Sequence, residues 1–124
     1  MSKDEQKRCG VYIFQCLQTD GVKIGLSTNV SERLKTIQAN SPTDLLEVVF
    51  IPRESPKDLE SALHTLFAEY RMHGEWFNPL IQEDNAFKAL MILSEIGGVF
   101  GKVDNRPFYD RMLVEMLEAR DAKK

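Results

Sequence analysis

Apolar and polar positions divide the chain into short, differently patterned segments. Residues 10–17 (GVYIFQCL) are rich in β-branched and aromatic types and predict a strand. Tyr12, Phe14 and Cys16 share one face of it, Val11 and Ile13 the other. Thr19-Asp20-Gly21 is a turn signal, and 22–27 (VKIGLS) reads as the return strand of a hairpin. Val30, Leu34 and Ile37 have helical spacing, so a helix capped by Asn29 or Ser31 runs to about residue 39. Asn40-Ser41-Pro42 ends it. The nearly continuous apolar run 45–51 reads as a strand covered on both faces. Ser55-Pro56 opens a helix, with Pro at its first position, that extends to about residue 70. A turn over 71–75 then leads to Trp76-Phe77, a short apolar strand that anchors the core. A further helix over about 81–96 is stopped by Gly97-Gly98, and a last one covers about 107–119. The order specifies an α+β fold with a small, mainly antiparallel sheet.

Length and charge narrow the function classes. The chain has 124 residues, most simply one domain behind a charged tail at 1–8. No apolar run reaches the ~20 residues of a membrane span, and the N-terminal residues lack the apolar stretch of a signal peptide. The expected setting is the cytoplasm, with no membrane partner. The net charge is −3, which excludes coating of nucleic acid through bulk charge but leaves room for a few local cations at a phosphate. The last helix carries a wide stripe of Phe108, Tyr109, Met112, Leu113, Met116 and Leu117. That stripe is buried either on the chain's own sheet or against a second copy in a homodimer.

Three places offer chemistry. On the helix over 56–70, at about 100° per residue, His64 lies roughly 40° from Glu60, and Arg71 roughly 20° from it if the helix reaches that far. The three form a polar row beside the apolar stripe, where a carboxylate is held rigidly yet faces a cleft; a solvated flank with a Glu–His pair is the plainer alternative. Arg33 sits on the first helix, as a surface cation or an anion ligand. Tyr12 is either a core tyrosine with a wet hydroxyl or a reactive phenol. Neither the two cysteines nor His64 with His73 has the spacing of a zinc site.

Gly10-Val11-Tyr12, Lys23-Ile24-Gly25, Arg33 eight residues after Gly25, Glu60 and Gly74-Glu75-Trp76-Phe77 follow one another in a familiar order. Together they resemble the GIY-YIG nuclease superfamily, in a phage and bacterial branch with a KIG second motif and a GEWF-type ending. The likeness covers residues 9–96 and leaves 97–124 as a C-terminal helical extension. It implies a three-stranded antiparallel sheet flanked by helices, and an endonuclease that hydrolyses phosphodiester bonds, with DNA the expected substrate. It implies one divalent metal, Mg²⁺ or Mn²⁺, held by Glu60. Tyr12 would be the general base, with His64 the other candidate, and Arg33 would stabilise the transition state. Lys23 or His64 would supply positive charge near the base, and Gly25, Ser27 and Arg71 would contact substrate. The chain departs from the pattern at Lys23, which replaces the second motif's tyrosine, at Leu26, where many members carry Lys, and at Ile37, where some branches carry His or Tyr. The alternative reading is a weak or inactive nucleic-acid-binding module on the same fold.

Overall fold

β1 (Gly10–Cys16) and β2 (Val22–Ser27) form the expected antiparallel hairpin, with Tyr12 opposite Gly25 and Phe14 opposite Lys23. Its turn places Asp20 at φ 61°, a conformation that Asp tolerates better than most residues. The structure, a computed structural model, describes residues 8–41 and 43–100, with the backbone alone over 96–100, and then 111, 114–116, 118 and 119. Among these residues the sheet has five strands in the order β3-β1-β2-β5-β4, every pair antiparallel. Here β3 is Leu45–Pro52, β4 is Arg71–His73 and β5 is Trp76–Phe77.

The sheet is therefore larger than the three strands the resemblance implies. The stretch read as a plain turn at 71–75 is half strand: β4 and β5 make a second hairpin through Gly74, whose φ of 58° suits glycine. β3 is also not buried on both faces. It is an edge strand, with Val49 and Ile51 buried and Leu46 half exposed. Its edge is covered from α3 (Asn85–Phe100), where Ser94 Oγ accepts the Phe50 N–H at 3.1 Å.

Side-chain alternation splits the core in two. Val11, Ile13, Val22, Ile24, Val49 and Ile51 face one layer, built by α2 (Lys57–Leu66) and α3 through Leu59, Leu63, Leu66, Phe87 and Leu90. Tyr12 and Phe14 face the other way, under α1 (Val30–Ala39), packed with Val30, Leu34, Ile37 and Phe50. Asn29 is the N-cap of α1, its side chain accepting the Glu32 N–H.

Three helix ends fall elsewhere than the sequence predicts. α2 stops at Leu66 and a 3₁₀ turn over Ala68–Tyr70 leads into β4. The expected helix at 81–96 is a 3₁₀ segment over Pro79–Glu83 followed by α3, with Asp84 Oδ1 accepting the Ala86 N–H at 2.8 Å. α3 also runs through Gly97-Gly98 to Phe100; two glycines weaken a helix by about 1 kcal/mol each rather than forbid it.

Arg8, read as part of a charged tail, is tied down. Its guanidinium grips Glu47 at 2.7 and 3.0 Å and lies 4.2 Å from the Phe50 ring centroid. The last helix, with its stripe and its proposed homodimer contact, lies largely outside the described residues. Met116, which is described, packs against the larger core, and Val114 is exposed. No helix among the described residues is long and apolar enough to cross a membrane.

Candidate functional site

Strand alternation puts Tyr12, Lys23 and Gly25 on the α1 face of the sheet. Tyr12 is 1% exposed and its ring stacks on Phe14, with centroids 4.1 Å apart. The ring lies directly over Gly25. A Cβ there would overlap both the Tyr12 hydroxyl and the Glu75 carboxylate, so the glycine of the KIG motif is required for space. Gly25 has no positive φ, so backbone freedom is not the reason.

Glu75, a residue of the Gly74-Glu75-Trp76-Phe77 run to which the sequence assigns no chemistry, occupies the centre of the site. Tyr12 Oη donates to its Oε1 at 3.2 Å, and Lys23 Nζ lies 3.3 Å from the same oxygen. Its backbone carbonyl accepts the Ile24 N–H at 3.0 Å, which registers the Gly74 turn against β2. The available signal was an acidic residue beside a turn glycine, which is common on surfaces; only the β2–β5 pairing reveals where it points.

Arg33 reaches the group from the first turn of α1, where Asn29 accepts its backbone N–H. Burial pushes the Tyr12 hydroxyl up, the neighbouring Arg33 guanidinium pulls it down, and the Glu75 charge raises it again, to about 12. A cleft of about 360 Å³ opens between α1 and the sheet, lined by Lys23, Arg33, Thr36, Ile37, Asn40 and Trp76 among others. Trp76 is a half-buried wall of this cleft, with Lys23 Nζ 5.4 Å from its ring centroid, whereas Phe77 is fully buried in the larger core. The sequence treats the two as one anchor, but strand alternation sends them to opposite faces.

Glu60 and His64 come from α2, on the opposite layer. The His64 ring shares a proton with the Ile24 carbonyl at 3.0 Å; since a carbonyl only accepts, Nε2 carries the hydrogen. The ring also meets Phe77 edge-on. His64 thus fixes α2 to the peptide that precedes Gly25, and Glu60, one turn earlier on the same helix, is half-buried. His64 Nε2 is therefore engaged with a backbone carbonyl. Ile37 lines the cleft, and the partners of Tyr12 there are Glu75 and Arg33.

Two expected substrate contacts are engaged with backbone groups. Arg71 belongs to exposed β4, so it is not in a helical row with Glu60 and His64, and its Nε donates to Gly74 O at 3.0 Å. Ser27 Oγ accepts the Asn29 N–H at 3.0 Å and shapes the entry to α1.

Burial raises the Glu60 carboxyl above the ordinary carboxylate range. His64 and Lys57 oppose that rise, and the Glu75 charge adds to it. Among the described residues no three or more His, Cys, Asp or Glu side chains cluster to hold a metal. Glu60 by itself offers a hard oxygen donor of the kind that would suit a divalent cation completed by water and phosphate oxygens.

A protein-family model described as the T5orf172 domain matches residues 10–94, from the first residue of β1 to Ser94 of α3. No curated protein and no solved structure matches the chain.

Proposed function

The chain belongs to the T5orf172 domain family, which is associated with endonuclease-like function, and on that premise we propose that it is a metal-dependent endonuclease of GIY-YIG type. It acts on nucleic acid, with DNA the expected substrate, in the cytoplasm. The observation that carries the reading is the convergence of Tyr12, Lys23, Arg33 and Glu75 beside Gly25, with the Glu60 carboxyl within reach of the Glu75 charge.

Each residue has a distinct task. Arg33 is exposed on α1 beside the Tyr12 hydroxyl, where a scissile phosphate entering the cleft meets its guanidinium. There it offsets charge that grows on the phosphoryl oxygens as the new bond forms. Tyr12 Oη, beside the Arg33 guanidinium, takes a proton from the attacking water. Lys23 adds a second cation to the cleft wall and holds the Glu75 carboxylate in position. Glu60 would hold Mg²⁺ or Mn²⁺, which when bound supplies Lewis-acid stabilisation of the phosphoryl group and the leaving oxygen.

Incubation of supercoiled plasmid with the protein and Mg²⁺ or Mn²⁺ tests the proposal. The expected result is nicked or linear product that a chelator abolishes. Persistent supercoiled DNA under both metals, with the protein bound to it, would establish the binding-module reading instead.

A further inference from the structure

We propose that Glu75 is the proton acceptor behind Tyr12: during cleavage the phenol passes its own proton to the Glu75 carboxylate as it takes one from water. The inference rests on the nuclease reading and assigns a role that the sequence motifs leave open. Tyr12 is nearly closed to solvent, and its hydroxyl proton points at Glu75 Oε1, 3.2 Å away. At neutral pH a hydroxyl pushed to about 12 forms almost no phenolate, so Tyr12 works as a base only if its own proton leaves in the same step. Glu75 is held for this at two points, through its backbone carbonyl on Ile24 N–H and through Lys23 on its carboxylate. Gly25 leaves the space that the phenol and the carboxylate share.

The step balances with water as the sole co-reactant. The water O–H bond breaks as its oxygen forms the new P–O bond, and that proton goes to Tyr12 Oη. The proton already on Oη moves to Glu75 Oε1. The P–O bond to the leaving oxygen breaks, that oxygen keeps the electron pair and takes a proton from solvent. Glu75 then releases its proton to solvent, replacing the one the leaving oxygen took, and one water is consumed per phosphodiester. Tyr12 and Lys23 meet this carboxylate directly, and Glu60 feels its charge.

Glu75 acts through Tyr12, so the test needs a readout that a structural role does not move. The full chain, with Mn²⁺ and supercoiled plasmid under single-turnover conditions, is compared with Glu75→Gln, Glu75→Asp and Glu75→Ala. Glu75→Gln keeps an acceptor oxygen for the Tyr12 hydroxyl but cannot hold the proton. It is expected to cleave at least ~10²-fold more slowly, with DNA affinity unchanged or higher. Glu75→Asp recovers part of the rate, and sodium formate, not sodium chloride, restores Glu75→Ala in proportion to its concentration. Two results overturn the inference: wild-type rates in Glu75→Gln, or loss in all three variants with no response to formate despite an unchanged melting temperature. If wild type cleaves and Glu60→Gln does not, such a result removes the relay alone. A wild-type protein that cleaves nothing under either metal removes the nuclease reading and the relay with it.

Discussion

A single methyl group at Gly25 probes the site's geometry most sharply. In Gly25→Ala the new Cβ lies within hard contact of the Tyr12 hydroxyl, the Tyr12 ring and the Glu75 carboxylate. The carboxylate can swing toward solvent, but the ring cannot move cheaply. It is 1% exposed and stacked on Phe14, itself fully buried. Overpacking of a closed site costs about 1–3 kcal/mol. At this chain length that is a melting temperature lower by roughly 3–5 °C per kcal/mol. Cleavage should fall further than stability does, because displacing the Tyr12–Glu75 pair by even an ångström misaligns reacting groups, at a cost of ~10²-fold. The double variant Gly25→Ala with Tyr12→Phe supplies the control. Removing the hydroxyl deletes the nearest obstacle and leaves the ring carbon behind it, so the stability losses should be less than additive. A melting curve for each variant and a plasmid assay for Gly25→Ala are sufficient. An unchanged melting temperature with wild-type cleavage in Gly25→Ala would refute the close approach and the argument built on it.

Other consequences follow from the same packing. The Tyr12 hydroxyl is raised from 10 to about 12, so the folded state keeps this proton longer than the unfolded chain does. Its stabilising contribution is complete below pH 10 and falls between pH 10 and 12, by about 1.4 kcal/mol at pH 11. Urea midpoints for wild type and Tyr12→Phe at pH 9 and 11 should therefore diverge, and parallel changes would contradict the burial of the phenol. His64→Ala removes the hydrogen bond to Ile24 and the edge contact on Phe77, and should destabilise by about 1–3 kcal/mol while slowing cleavage; unaltered stability would mean that α2 is not anchored there. Phe77→Ala should cost about 3–5 kcal/mol in chemical denaturation and Trp76→Ala clearly less, because only the former vacates the core. Equal losses would contradict their placement on opposite faces.

Much of this fold was legible in the sequence because local signals agree with one another. Strand alternation in GVYIFQC separates Tyr12 and Phe14 from Val11 and Ile13, and the structure packs the two sets into different layers. Asn29 was one of two expected caps and is the one used. Where the expectation failed, a non-local term decided. The run at 45–51 is apolar enough for a central strand, yet pairing order places it at an edge under α3. The apolar stripe of α2 continues past Leu66, but the chain there turns through a 3₁₀ segment so that β4 and β5 can extend the sheet. That turn removes Arg71 from the helical row.

The candidate site divides in the same way. Tyr12, Arg33 and Glu60 stand out by residue type and order, and Gly25 by its motif. Glu75 does not, because an acidic residue after a glycine has no local mark of function. Its place follows from two pairings distant in sequence, Ile24 with Glu75 and Lys23 with Trp76. His64 carries the opposite lesson. Its residue type suggests acid–base chemistry, while its hydrogen bond to a backbone carbonyl makes it a fastener between α2 and β2.

One matched pair decides whether Glu60 organises metal-dependent cleavage. Wild type and Glu60→Gln are incubated with supercoiled plasmid across a titration of Mn²⁺, with circular dichroism of both proteins and DNA binding recorded in parallel. The substitution keeps the side chain's shape and removes its charge. Metal-dependent cutting by wild type alone is expected, with both proteins folded and with Glu60→Gln binding DNA at least as tightly. Equal cutting by the two proteins at the same metal concentration would contradict it.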